Sequence, residues 1–522
     1  MKCPSREIPL HPFLFALFPV LTLLAGNLGE MNLSAFFRSA VASLFVASAL
    51  FLILRLGTKD WRSAALLATF YLLLFFTYGH VYNLVKNQSL FGFDYGRHRI
   101  LGIVWAVLTI VGGWLIVKRI HLNKIVTMVL NLVGFLLVIF PIVQIGAYAI
   151  VQSRNAKISR SDSAQSSELI LPQGQLPDIY YIILDRYARD DILKSQLDYD
   201  NSEFTRALEQ RGFYIARCSR SNYPETLPSM ASALNMDYLD ELTGVESWQE
   251  NISSLQPYIS GNAVRQLLEA LGYQSISLTA YQNLQWHNAD LFYNPATSSG
   301  SSQFSSVITP FEAILMRTTV LRIPLDLQTK SMGEFARNIN YPYAEHVQQQ
   351  LYILNKIPEL PFLSAPTFAY IHITIPHPPY VFDQNGELVD IQTAEEGFTR
   401  NQSDGGQPGG YIGQVQYINQ RMLGIVESLI QNSDQTPVII LQGDHGISGS
   451  DPDAILNAYL VPEAVRSHLY PTITPVNTFR VIFSSLFGGD YPALPDTSFV
   501  PGDVGQGYEL SNPSQHQCVP QD

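Results

Sequence analysis

Charged residues are scarce in this sequence of 522 residues. Asp, Glu, Lys and Arg make up 15% of it, whereas a typical soluble domain carries roughly a quarter, and 47% of the residues are hydrophobic. The shortage is concentrated before about residue 150, where the sequence is mostly apolar, and the remainder has the composition of a soluble protein. The composition therefore predicts a membrane part followed by a soluble part.

Basic runs and cysteine clusters are also missing. The net charge is −12 and nothing resembles a basic stripe, which argues against nucleic acid as a partner. The three cysteines, Cys3, Cys218 and Cys518, form neither a disulfide framework nor a CxxC metal pattern. Cys218 and Cys518 can pair if the C-terminal part lies in an oxidising compartment, and the sequence alone does not decide whether they do.

Apolar runs in the N-terminal part are long enough to cross a bilayer, which takes about 20 residues. We predict about five transmembrane helices, at 12–29, 39–54, 64–85, 100–117 and 125–151. The first run also fits a cleaved signal sequence, but further spans follow at once, which favours a true helix. Because no span carries Asp, Glu, Lys or Arg deep in its apolar core, a transporter is disfavoured. An integral membrane anchor or lipid-facing platform fits better.

The two chain ends lie on opposite sides of the membrane if the number of spans is odd. The Lys and Arg residues of the connecting loops favour, by a narrow margin, an N-terminus inside the cytoplasm. We therefore predict a membrane domain over residues 1–152, a Ser- and Gln-rich linker over 153–176, and a soluble domain over 177–522 outside the cytoplasm.

Strand and helix patterns alternate in the soluble part. Buried strands are predicted at 179–184, 273–278, 367–374 and 438–441, and helices at 202–211, 229–239, 262–272 and 411–430. Such alternation predicts an α/β domain with a mainly parallel sheet flanked by helices.

Polar side chains follow three of these strands directly. The first strand ends at Asp185, the third runs into His377, and the fourth ends at Asp444 and His445. In parallel sheets ligands bind at the carboxyl ends of the strands, and carboxylate oxygens with an imidazole nitrogen suit a divalent metal. The alternative is an ordinary strand-to-loop turn, because Gly-Asp and His-Gly are common in turns.

Thr226 is the candidate nucleophile. It precedes Pro228 and a run of good helix formers, so it lies at or just before a helix N-terminus, where free N–H groups attract anions. A hydroxyl there that also binds a metal ionises more easily and can attack phosphorus or sulfur. Helix capping by Thr226 is the alternative explanation.

These elements together resemble the alkaline phosphatase/sulfatase superfamily. The order matches: a strand ending in an acid at Asp185, a nucleophile segment from Thr226 to Met230, His377-Pro378-Pro379-Tyr380, and Asp444-His445-Gly446. With the predicted spans, the chain most resembles the membrane-bound branch, which includes lipoteichoic acid synthases and lipid A phosphoethanolamine transferases.

The resemblance implies a membrane-anchored, metal-dependent enzyme that moves or cleaves a phospho-group on a lipid or envelope polymer. It implies zinc or manganese, with calcium or magnesium as further options, bound by Asp185, Thr226, Asp444 and His445. Thr226 would carry a covalent phospho-intermediate and His377 would contact the phospho-group. The implied location is the plasma (inner) membrane, with the catalytic domain on the outer or periplasmic face.

Other side chains are candidates for substrate binding, namely Arg186, Arg217, Arg220 and Tyr380. Arg186 can clamp a substrate phosphate or weaken a neighbouring cation site, and a surface role suits Arg217 and Arg220 equally well. His372, within the third strand, is interpreted as a hydrogen-bonded core residue.

The sequence departs from the family pattern at several positions. Asp185 stands where the transferases have Glu, and Thr226 cannot mature to the formylglycine of sulfatases. Met230 replaces the sulfatase Arg, and Asn457 lies near the position of a further His in the transferases. Two alternatives therefore stay open: an ester hydrolase that uses activated water, and a non-catalytic envelope scaffold.

Overall fold

A computed structural model gives the architecture of the chain. It describes residues 8–26, 33–86, 89–90, 93–94, 97–119, 124–158, 175–243, 252–286, 288–293, 310–324, 343–364, 366–390, 394, 408–447, 451–501, 508–510 and 518. The chain divides into two compact units. We call residues 1–151 with 305–344 the membrane unit, and residues 152–304 with 345–522 the α/β unit.

The membrane unit is helical. Its long helices are α1 (His11–Ala25), α2 (Leu33–Thr58), α3 (Trp61–Val85), α4 (His98–Arg119) and α5 (Lys124–Ile158), with a two-stranded hairpin of β1 (Ser89–Leu90) and β2 (Phe93–Asp94) before α4. Four helices, α2 to α5, are long and apolar enough to cross a membrane. At 1.5 Å per residue, the 15 residues of α1 reach about 22 Å, short of the roughly 30 Å of a hydrocarbon core. Among the described residues, four of the five predicted spans therefore meet the length of a bilayer core, and α1 is a shorter apolar helix.

A segment from within the predicted soluble domain belongs to the membrane unit, and we call this segment, residues 305–344, the excursion. Residues 305–344 group with the N-terminal helices, and their described part holds α12 (Pro310–Thr318). Phe311 and Leu315 of this helix are buried with residues of α1, α2 and α3 in one apolar cluster. The predicted boundaries treated 177–522 as continuous because a short amphipathic segment gives no sequence sign of which unit it packs against.

A seven-stranded mixed sheet organises the α/β unit. Its strands are β3 (Ile179–Leu184), β4 (Tyr214–Ile215), β5 (Gln274–Thr279), β6 (Leu291–Tyr293), β7 (Thr367–Ile373), β8 (Val438–Gly443) and β9 (Asn457–Leu460), in the spatial order β4-β9-β8-β3-β7-β5-β6. The five strands from β8 to β6 are parallel, and β9 runs antiparallel to both β8 and β4. The predicted α/β fold with a mainly parallel sheet is confirmed.

Helices cover the sheet. They are α6 (Asp190–Leu197), α7 (Ser202–Glu209), α8 (Thr226–Asn235), α9 (Leu239–Thr243), α10 (Gln256–Ser260), α11 (Ala263–Ala270), α13 (Ala344–Lys356), α14 (Pro408–Asn432), α15 (Glu463–Arg466) and α16 (Pro475–Phe487), and β10 (Phe499–Pro501) pairs with β11 (Tyr508–Leu510). The central strands β3, β7 and β8 are buried along their whole length, as their continuous apolar runs predict. The helix predicted at 411–430 corresponds to α14, which begins three residues earlier at Pro408.

A disulfide joins the two cysteines whose pairing the sequence left open. Cys218, just after β4, is bonded to Cys518, 300 residues later, with the two Cα atoms 5.5 Å apart. Disulfides persist mainly in oxidising compartments. The bond fits an α/β unit that lies outside the cytoplasm.

Candidate functional site

Three metal-competent side chains meet at the carboxyl edge of the sheet. Asp185, Asp444 and His445 each offer one ligand atom, and these atoms all lie within 4.8 Å of one another. His445 Nε2 is 3.7 Å from Asp185 Oδ1 and 3.8 Å from Asp444 Oδ2. Oxygen and imidazole nitrogen at such spacing suit a single divalent ion.

Strand register brings the two acids together. β3 and β8 are parallel neighbours in which Leu184 is paired with Gly443, so the residues that follow, Asp185 and Asp444, leave adjacent strands at the same level. Adjacent strands are about 4.8 Å apart, which places the two carboxylates side by side. The sequence shows where each strand ends, and the register adds that they end together.

The glycines around the Asp-His pair are needed for close backbone approach. A Cβ on Gly443 would lie 2.5 Å from the carbonyl oxygen of Tyr187, and one on Gly446 would lie 2.7 Å from that of Ala454. Neither glycine has a positive φ, so the tight turn expected from the sequence is not what requires them. They let the loop after β8 pack directly on neighbouring backbone, which fixes the direction of Asp444 and His445.

Three of the four carboxylate oxygens of this site lack a donor among the described residues. Asp444 Oδ1 accepts hydrogen bonds from the backbone N–H groups of Arg186 (2.8 Å) and His445 (2.9 Å). Asp444 Oδ2 and both oxygens of Asp185 are buried and have no hydrogen-bond partner among the described residues. Buried carboxylate oxygens normally have partners, because leaving one unpaired is costly. A bound cation would satisfy all three.

The pKa values of the two acids are shifted in opposite directions. Burial, and then the charge of Asp444, raise the pKa of Asp185 well above its usual range. Burial also tends to raise the pKa of Asp444, but the opposing attraction of His445, followed by that of His372, leaves it below the usual value. Without a cation, the cluster therefore favours one ionised carboxylate and one neutral one.

The ring of His445 is oriented as a metal ligand. Its Nδ1 lies 2.9 Å from the carbonyl oxygen of Gly446, which can only accept, so Nδ1 carries the proton. Nε2 then presents a lone pair to the two acids. A second hydrogen bond of this kind is the usual way in which proteins fix the tautomer of a ligating histidine.

Thr226 begins helix α8 beside this ring. It is the first residue of the helix, its Oγ1 is 3.4 Å from His445 Nε2, and it does not cap the helix, because residue Glu225 occupies the N-cap position. The hydroxyl of Ser229, one turn later, donates to the carbonyl oxygen of Asp444 at 2.6 Å. This bond ties the start of α8 to the end of β8 and holds the Thr226 hydroxyl at the cluster.

Arg186 and His377 complete the surroundings. Arg186 is buried with a left-handed φ of 67°, a conformation that is costly for a side chain with a Cβ and is often found at functional sites. Its carbonyl accepts from the Tyr411 hydroxyl at 2.8 Å. The backbone N–H of His377 donates to the Asp185 carbonyl at 3.1 Å, which joins the His377 loop to β3.

The His377 ring is neutral at physiological pH. Burial, then the charges of Arg186 and His445, lower its pKa to about 3. Its Nδ1 lies 2.6 Å from the Pro378 carbonyl oxygen and therefore donates to it. Tyr380 of the same element is buried. Burial raises the pKa of its hydroxyl to about 12, against the opposing charge of Arg186.

Two predicted substrate-binding arginines are engaged elsewhere. Arg217 pairs with Glu209 at 2.5 Å and lies 4.0 Å from Asp190. Arg220 donates to both oxygens of Asp453 and to Asp451. Neither arginine has a hydrogen bond or ion pair to Asp185, Asp444 or His445 in the part of the chain that the structure describes; their partners are acids of α6, of α7 and of the loop after β8.

His372 belongs to the site, which the sequence interpretation missed. Its ring is fully buried, neither ring nitrogen has a hydrogen-bond partner among the described residues, and Nε2 is 3.8 Å from Asp444 Oδ2. His372 is therefore buried in the core as predicted, but the predicted hydrogen bond is not found among the described residues. The available signal was position: His372 is the residue before the last of β7, at the edge where Asp185 and Asp444 emerge.

Comparisons with known proteins were made at the level of family, sequence and structure. No protein-family model matches the chain, and no curated protein matches it. Solved structures do. The lipooligosaccharide phosphoethanolamine transferase A (EptA) from Neisseria meningitidis, an integral membrane protein, is 13% identical, with 92% of this chain and 94% of that chain covered and a TM-score of 0.38.

Two further solved structures illustrate the range of the likeness. The C-terminal periplasmic domain of EcEptC from Escherichia coli is 11% identical, covering 66% of this chain and 95% of that chain with a TM-score of 0.39. The sulfatase candidate yidJ from Bacteroides fragilis is 17% identical, covering 62% and 77%, with a TM-score of 0.35. These structures come from the two enzyme classes that the four sequence motifs resemble. At TM-scores below 0.5, they do not decide the reaction or the substrate of this chain.

Proposed function

We propose that this chain is a membrane-anchored, metal-dependent enzyme that transfers or cleaves a phospho-group on a lipid or envelope polymer. One arrangement carries the proposal: three metal-competent atoms lie within 4.8 Å of one another, three buried carboxylate oxygens have no donor among the described residues, and a threonine hydroxyl is 3.4 Å from the histidine of the cluster. The candidate spans are consistent with an enzyme of the plasma (inner) membrane, and the disulfide is consistent with an α/β unit on the outer or periplasmic face.

The ligand set is Asp185, Asp444, His445 and the hydroxyl of Thr226. Two carboxylates, one neutral imidazole and one hydroxyl form a donor set that suits zinc or manganese. A divalent ion bound there supplies a positive charge that makes the coordinated hydroxyl easier to ionise. It would also satisfy the orphaned oxygens of Asp185 and Asp444 and remove the reason for the raised pKa of Asp185.

The chain's own residues then position the reaction. In the first step the bond from Thr226 Oγ1 to phosphorus forms as the ester bond to the leaving group breaks. In the second step an acceptor hydroxyl or water bonds to phosphorus as the bond from phosphorus to Thr226 Oγ1 breaks. The N–H groups at the start of α8 and the cation of Arg186 stabilise the anionic phospho-group, which neutral His377 contacts. Tyr380 lines the same region.

The decisive experiment is the pair Thr226→Ala and Thr226→Ser in the full-length protein. With bis(p-nitrophenyl) phosphate and with membrane lipids as substrates, Thr226→Ala should lower turnover by about a thousandfold or more, because the nucleophile is gone. Thr226→Ser keeps a hydroxyl and should retain part of the activity. Mass spectrometry of protein quenched during turnover should show a phospho-adduct in the peptide that contains Thr226.

Metal content is measured on the same preparations. We expect about one divalent ion per chain in wild type and Thr226→Ala alike, because three ligands remain. Full activity of Thr226→Ala without a phospho-adduct would indicate attack by water. Absence of a stoichiometric metal from the wild type would favour a non-catalytic scaffold.

A further inference from the structure

A cavity of about 480 Å³ lies inside the membrane unit, between α2, α3 and the excursion that carries α12. Ligand sites typically measure roughly 300–1,000 Å³. Its walls are almost wholly apolar and come from all three elements, chiefly Ala42, Val46, Phe75, Phe76, Leu315 and Met316. Because Val46 is 46% exposed, the cavity opens at the outer surface of the helices rather than being sealed inside them.

One end of the cavity is charged. Arg38 of α2 forms an ion pair through two nitrogens with Glu312 of α12, and both residues line the cavity. The Arg38 side chain is 58% exposed, whereas that of Glu312 is 14% exposed. Arg38, Ala42 and Val46 are four residues apart and share one helix face, so the guanidinium stands at the head of an apolar channel.

The position of Arg38 matches the headgroup level of a bilayer. The candidate span of α2 is Phe36–Thr58, so Arg38 lies within its first turn. Long cationic side chains at helix ends extend to the membrane interface, where lipid phosphates lie. The apolar part of the cavity runs from there along α2 into the region that lipid chains occupy.

The wall formed by the excursion is fixed in place. A Cβ on Gly79 of α3 would lie 1.9 Å from the carbonyl oxygen of Arg317, so the two backbones touch only because Gly79 lacks a side chain. The N–H of Val320 donates to the carbonyl of Phe75 at 3.0 Å. Leu315 is buried against the helices. The cavity is therefore preformed, which lowers the cost of binding.

We propose that this cavity binds one bilayer phospholipid, with an acyl chain in the apolar channel and the lipid phosphate against the guanidinium of Arg38. Water is a poor occupant, because the walls offer few polar partners, whereas a lipid chain contacts them throughout. Guanidinium and phosphate pair readily, so the phosphate takes Arg38 in competition with Glu312. This site shares no residue with the cluster of Asp185, Asp444 and His445, and the proposal does not rest on the proposed reaction.

The test titrates the full-length protein in detergent with palmitoyl-oleoyl phosphatidic acid and counts bound lipid by native mass spectrometry. We expect one tightly bound lipid. Ala42→Phe fills the channel and should weaken binding by about tenfold or more. Ala106→Phe is the matched control, because Ala106 is exposed on α4 outside the cavity, and it should leave binding unchanged. Val46→Phe replaces Ala42→Phe if that variant does not elute as a folded monodisperse protein.

The charged end is tested by splitting the ion pair. Arg38→Gln should weaken binding by about fivefold, since one cation near a membrane surface is worth about 1 kcal/mol. Glu312→Gln removes the competitor and should leave binding equal or tighter. If the pair were only structural, both substitutions would weaken binding alike. Equal binding by Ala42→Phe and wild type, or equal affinity for the neutral diacylglycerol of the same chains, would overturn the proposal.

Discussion

Two clusters of buried charge in the α/β unit are built from the same loop and differ in how they are balanced. Asp444 and Asp453 both lie in the connection from β8 to β9. Asp453 accepts two hydrogen bonds from Arg220, which also donates to Asp451, so the protein itself supplies the counter-charge. Asp185 accepts no hydrogen bond from a described residue, and the charge of Arg186 only partly offsets the effect of burial on its pKa. Of the four carboxylate oxygens of Asp185 and Asp444, three have no donor among the described residues.

The difference separates charge that supports the fold from charge that is kept for a ligand. A buried carboxylate paired with arginine contributes to one fixed loop conformation. A buried pair of carboxylates without a partner makes the ligand-free protein less stable, and it persists where a cation restores the balance on binding. Four substitutions or conditions break or sharpen this contrast.

The largest effect is expected at the balanced cluster. Arg220→Ala leaves Asp451 and Asp453 buried without their cation and should destabilise the α/β unit by about 3–5 kcal/mol. Urea unfolding of chelator-treated full-length protein, followed by tryptophan fluorescence, measures the change. Arg220→Lys is the control and should lose less, because the charge remains. A loss below about 1 kcal/mol for Arg220→Ala would show that this cluster is not the structural one.

The unbalanced cluster should respond with the opposite sign. Asp185→Asn removes a buried carboxyl group that has no donor and that takes up a proton at a cost in the metal-free fold, so the chelator-treated protein should gain about 1–3 kcal/mol of stability. The same substitution should abolish the stabilisation that added zinc or manganese gives the wild type. If Asp185→Asn instead destabilised the metal-free protein, that result would contradict the assignment of Asp185 to a ligand site.

A smaller effect is expected where α8 is tied to β8. Ser229→Ala removes the hydrogen bond to the Asp444 carbonyl and should cost about 1 kcal/mol of stability. Turnover should fall more than stability implies, because the Thr226 hydroxyl is no longer held at His445. The neighbouring Ser232→Ala, which loses a hydrogen bond to Asp237 away from the cluster, is the matched control and should leave turnover unchanged.

The last effect is absent at neutral pH and appears only in acid, as a pH dependence from His377. Its pKa of about 3 in the folded protein lies below the ordinary 6.5, so the unfolded chain binds the extra proton in this interval. The contribution of His377 to the free energy of unfolding is therefore constant above pH 6.5 and falls as the pH drops toward 3. In melting curves of metal-free protein, His377→Asn should flatten the decline between these values. An unchanged slope would place the His377 ring in solvent.

Local patterns allowed much of the site to be predicted. The strand 179–184 has the predicted bounds, Asp185 and Asp444 follow strands as expected, and Thr226 begins its helix. These features depend on periodicity and on residues next to one another, such as Pro228 near a helix start. The metal, the nucleophile and the reaction stay predictions.

Other features needed contacts between distant parts of the chain. Arg220 is a predicted substrate-binding residue, and only the structure shows that it pairs with Asp451 and Asp453, 231 and 233 residues away. His372 reads as a core residue from its strand alone, and only strand register places it 3.8 Å from Asp444. The lone cysteines likewise pair across 300 residues.

The sequence by itself determined that this protein has apolar spans, an α/β unit and polar residues at strand ends, because these follow from hydrophobic patterning and the turn residues beside it. Only the tertiary structure decided which buried carboxylates are paired with arginine and which have oxygens without a donor among the described residues. It also decided that residues 305–344 join the membrane unit. The physical reason is that charge balance and packing depend on distances in space, which residue spacing along the chain does not fix.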